Sequence, residues 1–257
     1  MQRPPERKTP PVLFARGGSD WIRRVHQKHK QLVELRLSAG QKERLDRWAE
    51  IEFVYSTLRL EGADIQRAEV ARVVSQGWDA SVVSADEPDA RVIAASFRAA
   101  ASAARAKGKA VELTPNLLLT FHSDPEIGFR RSCGDPSARK PVSPEHLPAL
   151  IDSACRWYTA ESFSELNPIE QASIVLLRLI DLQPFEQANE RTALVAASLF
   201  TLRGELPPII IKPEMHDAYR SSLDEGVRMN TQPMVDLLAQ AVERSVSEMI
   251  EQAGSQE

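Results

Sequence analysis

The sequence is poor in glycine and aromatic residues, and it carries no excess of one charge. Only 11 glycines and 6% aromatic residues among 257 favour a helical protein over a β-sandwich or a β-barrel. The net charge is −4, with acids and bases interspersed, so the chain offers no basic field to a nucleic-acid backbone. We therefore expect no nucleic-acid partner. With 42% apolar residues, the chain can still bury a substantial core.

Cysteines and long apolar runs are scarce as well. Cys133 and Cys155 lie outside any CxxC or Cys/His metal spacing; a disulfide stays open, and reduced thiols are the preferred interpretation. No stretch reaches about 18 apolar residues, so no transmembrane helix is expected. The apolar run at residues 11–15 is too short for a signal-peptide core. These features predict a cytoplasmic protein of bacterial type without a membrane partner.

What the chain has in abundance is apolar residues at helical spacing. Residues 1–18, rich in proline and charge, are expected to be a mobile arm. The clearest helix start is Asn167, which can cap the helix while Glu170 returns a bond to the cap amide. That helix is apolar nearly all round and therefore central; Pro184 ends it, and Asn189 can cap the next one. Two further starts are predicted at Thr114-Pro115 and Ser143-Pro144.

Residues 123–142 form the one long irregular segment of the sequence. Arg130, Arg131, Arg139 and Lys140 make it basic, and these side chains are expected to be solvated. A short β-hairpin is predicted here. No linker divides the rest, so residues 19–257 are predicted to form a single helical domain.

The stretch from Gln183 to Leu194 reads Q-P-F-E-Q-A-N-E-R-T-A-L and joins the two most apolar helices. A helix N-terminus presents unpaired N–H groups and a partial positive charge, so it can hold a phosphate. Asn189 and Arg191 suit such a role. Glu190 does not, because its carboxylate lies where the anion would have to come.

This stretch resembles the signature H-x-F-x-[DE]-G-N-G-R-x-x-R of the Fic (Fido) family. Phe185, Asn189 and Arg191 match, whereas Gln183 stands at the histidine and Gln187 at the metal-binding acid. The other departures from the signature are Ala188 and Glu190 at the two glycines and Leu194 at the second arginine.

A second segment, from Thr57 to Gly62, resembles the [ST]-x-x-x-E-[GN] inhibitory helix that precedes the core in one class of this family. The resemblance extends over roughly residues 45–250 and includes His122 and the Gly128-Phe129-Arg130 run. It implies an all-α bundle with a central helix–loop–helix and a short β-hairpin flap. Residues 19–62 would form inhibitory-type helices and residues 63–257 the Fic core.

The resemblance also implies a reaction, the transfer of AMP from ATP to a hydroxyl of a protein. In active relatives the histidine is the base and the acid holds Mg²⁺. Gln183 cannot accept a proton near neutral pH, and Gln187 offers a metal only a neutral carbonyl oxygen. ATP with Mg²⁺ is therefore expected to bind weakly or not at all, leaving Asn189 and Arg191 as the candidate nucleotide contacts.

Two functions follow from these residues. The first is a catalytically impaired Fic-fold protein that binds or regulates an unknown protein partner. The alternative is an active nucleotidyl or phospho-group transferase that uses Asn189 and Arg191 without a histidine. A homo-oligomer is left open.

The inhibitory glutamate, Glu61, requires a new partner, because Leu194 occupies the position of the arginine that holds it in relatives. An unpaired buried carboxylate is costly. We therefore expect Glu61 to pair with Arg191 or to face water. His122, on an apolar helix, is expected to be a hydrogen-bonded core histidine rather than a metal ligand.

Overall fold

The computed structural model describes residues 20–76, 87–106, 112–122, 128–132 and 142–254. Within these ranges the chain is helical and contains no strand, which confirms the predicted all-α class. The expected arm, residues 1–18, and most of the expected hairpin lie outside the described residues. The division at residue 62 stays a prediction.

Eleven α-helices are found in the described ranges, with a short 3₁₀ helix at Pro213–Met215. The helices are α1 (Asp20–Glu34), α2 (Ala39–Leu60), α3 (Arg67–Gln76), α4 (Glu87–Arg105), α5 (Pro115–Phe121), α6 (Leu147–Trp157), α7 (Glu161–Ser164), α8 (Pro168–Leu182), α9 (Asn189–Arg203), α10 (His216–Val227) and α11 (Gln232–Gly254). Among these, none combines the length and the apolar character needed to cross a bilayer.

The central pair of the bundle is α8 with α9. Asn167 caps α8 through a bond from the Ile169 amide (3.0 Å), and Glu170 accepts from the Asn167 amide (2.9 Å), so the predicted capping box is confirmed. Leu176 of α8 and Ala196 of α9 are fully buried. These two buried helices fix the positions of both ends of the loop that joins them.

The other helices pack around this pair. Helix α4 lies against α9, α2 lies against α3 and α4, and α1 pairs with α11. Helix α2 ends at Leu60, and Gly62 then takes a left-handed φ of 89°, as expected for the residue after a helix. This packing carries the end of α2 to the start of α9.

The predicted cap at Thr114 is confirmed, whereas the one at Ser143 is wrong. Thr114 accepts a bond from the Leu117 amide (3.1 Å). After Ser143 the chain first makes a turn, in which the His146 amide donates to the Ser143 carbonyl, and α6 begins at Leu147 without a side-chain cap. The predicted start of this helix therefore lies about one turn before the observed one.

The end of α9 touches the beginning of α8 at Gly204. A Cβ atom built on Gly204 would lie 2.6 Å from Cγ of Pro168, a rigid ring atom at the start of α8. The φ of Gly204 is −81°, which any residue adopts, so the position requires a glycine for space and not for conformation.

We expect Gly204→Ala to lower the free energy of unfolding by about 1–3 kcal/mol, because the added methyl group must displace the Pro168 ring. Gly40→Ala is the matched control, since nothing lies within 4 Å of a Cβ at Gly40, inside α2. Urea unfolding followed by circular dichroism compares the two variants. Equal stabilities would contradict the packing described here.

Candidate functional site

In the loop that joins α8 to α9, two residues adopt the left-handed backbone conformation, and neither of them is a glycine. Gln183, which follows the last residue of α8, has φ 45°, and Ala188, just before α9, has φ 58°. A left-handed conformation costs a residue with a Cβ roughly 1–2 kcal/mol. The loop therefore retains a glycine-type turn at Ala188 against its intrinsic preference, so surrounding contacts must hold it.

One of these contacts is made by Asn189. Its Oδ1 accepts from the Phe185 amide and its Nδ2 donates to the Phe185 carbonyl, both at 2.8 Å. The prediction that Asn189 caps α9 is wrong. Ala188 is the N-cap residue and has no side-chain capping bond, while Asn189 is the first helical residue and its side chain points back to the loop. Its acceptor oxygen and one of its two N–H donors are engaged in fixing the loop.

A buried aromatic residue of the loop, Phe185, packs against the ring of His122. Phe185 is 1% exposed, and its ring centroid lies 3.9 Å from that of His122. Nε2 of His122 is 3.2 Å from the carbonyl oxygen of Gln187. The interpretation of His122 as a hydrogen-bonded core histidine is therefore confirmed, and it supports the loop from below.

Arg130 corrects the expectation of a solvated basic flap. It is 2% exposed, whereas the sequence analysis assigned it to a solvated surface loop. Its guanidinium donates to four backbone carbonyl oxygens, those of Ser132 (2.6 Å), Val142 (2.7 Å), Leu182 (3.4 Å) and Gln183 (2.6 Å). A cation here also complements the negative end of α8. Arg130 thus ties residues 128–132 and 142 to the end of the central helix.

A second tie joins the same two segments. The carboxylate of Glu186 accepts from the backbone amides of Arg131 (2.9 Å) and Ser132 (3.0 Å) and from the hydroxyl of Ser132. The Ser132 hydroxyl and these two amides lower the pKa of Glu186. Glu186 is therefore occupied in holding residues 131 and 132 to the loop.

The guanidinium of Arg191 is enclosed by two carboxylates, and we call Glu61, Asp89 and Arg191 the Arg191 cluster. Nε of Arg191 lies 2.8 Å from Oε1 of Glu61, and Nη2 lies 2.8 Å from Oε2 of the same carboxylate. Nη1 lies 2.7 Å from Oδ1 of Asp89. Of the two alternatives expected for Glu61, pairing with Arg191 or facing water, the pair is the one present. Each nitrogen of the guanidinium contacts a carboxylate oxygen.

Burial shapes the electrostatics of the Arg191 cluster. Burial alone lowers the pKa of Arg191, but the bonds to Asp89 and Glu61 outweigh it, so that this pKa is raised. Burial raises the pKa of Glu61, and the bonds from Arg191 offset this only in part, while the charges of Glu190 and Asp89 add to the rise. Arg191 thus stays charged, with its charge directed at the protein's own acids.

Glu190, beside the cluster, is also paired. Both of its carboxylate oxygens contact Nη1 of Arg220, at 2.9 and 3.1 Å, and Nη2 of Arg220 donates to the Leu60 carbonyl (3.3 Å). Arg220 therefore links the first turn of α9 to the end of α2. A protein carboxylate occupies the turn where the signature places a glycine.

The remaining predicted residues take structural positions. Gln183 is partly buried and its carbonyl oxygen accepts from Arg130, whereas Gln187 is exposed. Leu194 is 1% exposed and Thr57 3%, both inside the bundle. Gln183 and Gln187 bring to the loop no group that titrates near neutral pH.

These residues do not fit a magnesium–ATP complex. Magnesium prefers carboxylate and phosphate oxygens, and the residue at the acid position, Gln187, offers only a neutral oxygen. The nearby carboxylates of Glu61, Glu186 and Glu190 are bound to protein donors. The cation that would meet a phosphate, Arg191, is already neutralised.

Asp89 and Arg220 were not found by the sequence analysis. Asp89 lies 102 positions from Arg191, and Arg220 lies 30 positions from Glu190. Neither belongs to a motif, and an acid near the start of a helix is commonplace. Only the packing of α4 against α9 and the approach of α10 to the end of α2 bring them to the site.

Comparison with known proteins agrees with this geometry. Residues 113–201 match the Fic/DOC family, a range that contains α5 to α8 and most of α9. The resemblance to the Fic family that was drawn from the loop is therefore confirmed. The protein adenylyltransferase fic-1 of Caenorhabditis elegans is 32% identical over 110 residues, which is 43% of this chain and 22% of the relative. The protein adenylyltransferase Fic of Drosophila melanogaster is 28% identical over 127 residues, 49% of this chain and 26% of the relative. The chain thus matches about a quarter of the length of these relatives.

Solved structures share the fold over a longer stretch. Residues 134–508 of Fic-1 from C. elegans align with a TM-score of 0.77 at 24% identity, over 90% of this chain and 71% of that one. A Fic domain containing signaling protein from Bacteroides thetaiotaomicron aligns with a TM-score of 0.79 at 22% identity, over 92% of this chain and 99% of that one. The Fic helical fold therefore extends beyond the matched segment.

We expect Arg130→Met to lower the free energy of unfolding by about 3 kcal/mol, because buried carbonyl oxygens lose their donors. Arg131→Met is the matched control, since the neighbouring side chain is exposed. Chemical unfolding measures both variants. An equal loss for the two would contradict the role assigned to Arg130.

Proposed function

We propose that this chain is a Fic-fold protein that is catalytically impaired in AMP transfer and acts as a binding or regulatory protein toward a protein partner. The observation that carries the proposal is the enclosure of Arg191 by Glu61 and Asp89, at 2.7 to 2.8 Å. A guanidinium held by two carboxylates has no net positive charge to offer a triphosphate. The inhibitory role of the Thr57–Gly62 segment is part of this proposal.

The residues that would do the chemistry give further support. A positioned base contributes typically about 10²- to 10⁴-fold to a rate, and Gln183 has no basic group. Stabilisation of the developing charge on the phosphate would be lost as well, because Glu190 brings a carboxylate to the first turn of α9. Together these changes make any residual transfer very slow.

Asn189 has a structural role in the proposal. In the family signature the matching residue belongs to the phosphate loop, whereas here both ends of its carboxamide hold the Phe185 backbone. Maintaining the loop without glycine at position 188 is reason enough for an asparagine. Asn189 therefore has a role in holding the loop even if the chain transfers no AMP.

Calorimetry with magnesium–ATP and a transfer assay with radiolabelled ATP test the proposal on the purified chain. We expect no binding tighter than millimolar and no label on the protein itself or on added protein hydroxyls, because Arg191 is neutralised and a base is lacking. Labelling that disappears in Arg191→Ala would overturn the proposal in favour of a transferase that works without the histidine.

A second prediction concerns the base alone. Gln183→His is expected not to create transfer, because Gln187, Ala188 and Glu190 still fail to hold a magnesium–triphosphate. The same labelled-ATP assay measures it, and circular dichroism verifies that the variant is folded. Robust transfer by this single variant would mean that the missing histidine is the only defect.

A further inference from the structure

We propose that Asp89 is a second specificity-determining carboxylate, which excludes anions from Arg191 independently of Glu61. The inference rests on the proposed function, because it explains how Arg191 is kept from binding a phosphate. It assigns a role to a residue of α4, outside the loop and outside the Thr57–Gly62 segment.

The two acids contact different nitrogen atoms of the Arg191 guanidinium. Glu61 contacts Nε and Nη2 along one edge of the guanidinium, and Asp89 contacts Nη1 at the other end. The Glu61 side chain is 20% exposed and the Asp89 side chain 52% exposed. Asp89 is therefore the acid on the solvent side, which an approaching anion would meet first.

The charges make the two acids redundant. With both carboxylates ionised, the Arg191 cluster carries a net charge of minus one, so an approaching phosphate is repelled. Neutralising either acid brings the cluster only to zero, because the other one still pairs with Arg191. Neutralising both leaves an uncompensated guanidinium, the first state in which the cluster attracts an anion.

The helix arrangement gives the acids separate origins. Glu61 follows the end of α2, whereas Asp89 lies in the first turn of α4, which packs along α9. Moving the end of α2 away would remove Glu61 and leave Asp89 in place. Withdrawal of the inhibitory-type segment alone is thus insufficient to expose Arg191, and a partner that exposes Arg191 must displace both helix ends.

The test compares the anion affinity of four proteins: the unaltered chain, Glu61→Gln, Asp89→Asn and the double variant. Inorganic pyrophosphate and magnesium–ATP are the probes, and calorimetry at about pH 8, where carboxylates are ionised, gives the Kd. We expect each single variant to stay within about threefold of the unaltered chain and the double variant to bind pyrophosphate at least about tenfold more tightly. The affinity of the double variant should fall with added salt.

Asp152→Asn is the matched control in both backgrounds. Asp152 is 50% exposed and pairs with Arg156 on its own helix, α6, so its neutralisation changes net charge equally without touching Arg191. A tenfold gain from Glu61→Gln alone would overturn the role of Asp89. So would a gain from adding Asp152→Asn to Glu61→Gln that equals the gain from adding Asp89→Asn to it. No gain in a folded double variant would overturn it too.

If the double variant does not fold, the single variants still decide the question. The proposal requires that each of them bind pyrophosphate within about threefold of the unaltered chain. The proposed function fails separately. It fails when the unaltered chain transfers label from ATP, whatever the single and double variants bind.

Discussion

The interaction on which the site depends is the binding of Arg191 by Glu61 and Asp89. It joins the end of α2, the start of α4 and the start of α9 through one guanidinium. Arg220 reinforces the same junction by pairing with Glu190 and donating to the Leu60 carbonyl. The charge of Arg191 is therefore satisfied by carboxylates of the protein itself.

The loop keeps its shape through a different set of contacts. Ala188 adopts a left-handed φ without the freedom of glycine, and Asn189 fixes the preceding backbone at Phe185. Arg130 connects the end of α8 to residues 132 and 142 by bonds to backbone carbonyl oxygens, which satisfies acceptors at the end of the helix. The shape of the loop is thus maintained by contacts within the protein itself.

Much of the fold could be predicted from local signals, and less of the site. The capping box at Asn167 and the apolar run after it identify α8, and the match of Phe185, Asn189 and Arg191 identifies the family. The loss of the second arginine at Leu194 left two alternatives for Glu61, and the Glu61–Arg191 pair was one of them. Asp89 and Arg220 could not be predicted, since their partners are set by tertiary packing. Arg130 was mistaken for a solvated charge, because a basic run does not reveal which of its members faces inward.

The most direct test of the account is the nuclear magnetic resonance signal of the Arg191 side chain in the unaltered protein. In arginine-labelled protein, assigned with Arg191→Lys, the Nε–H of Arg191 should give a sharp, slowly exchanging signal, because Glu61 accepts its bond in a mostly buried position. The account predicts that this signal stays unchanged when magnesium–ATP is added. A signal that shifts progressively with nucleotide would contradict it, since Arg191 would then leave its own carboxylates for the phosphates.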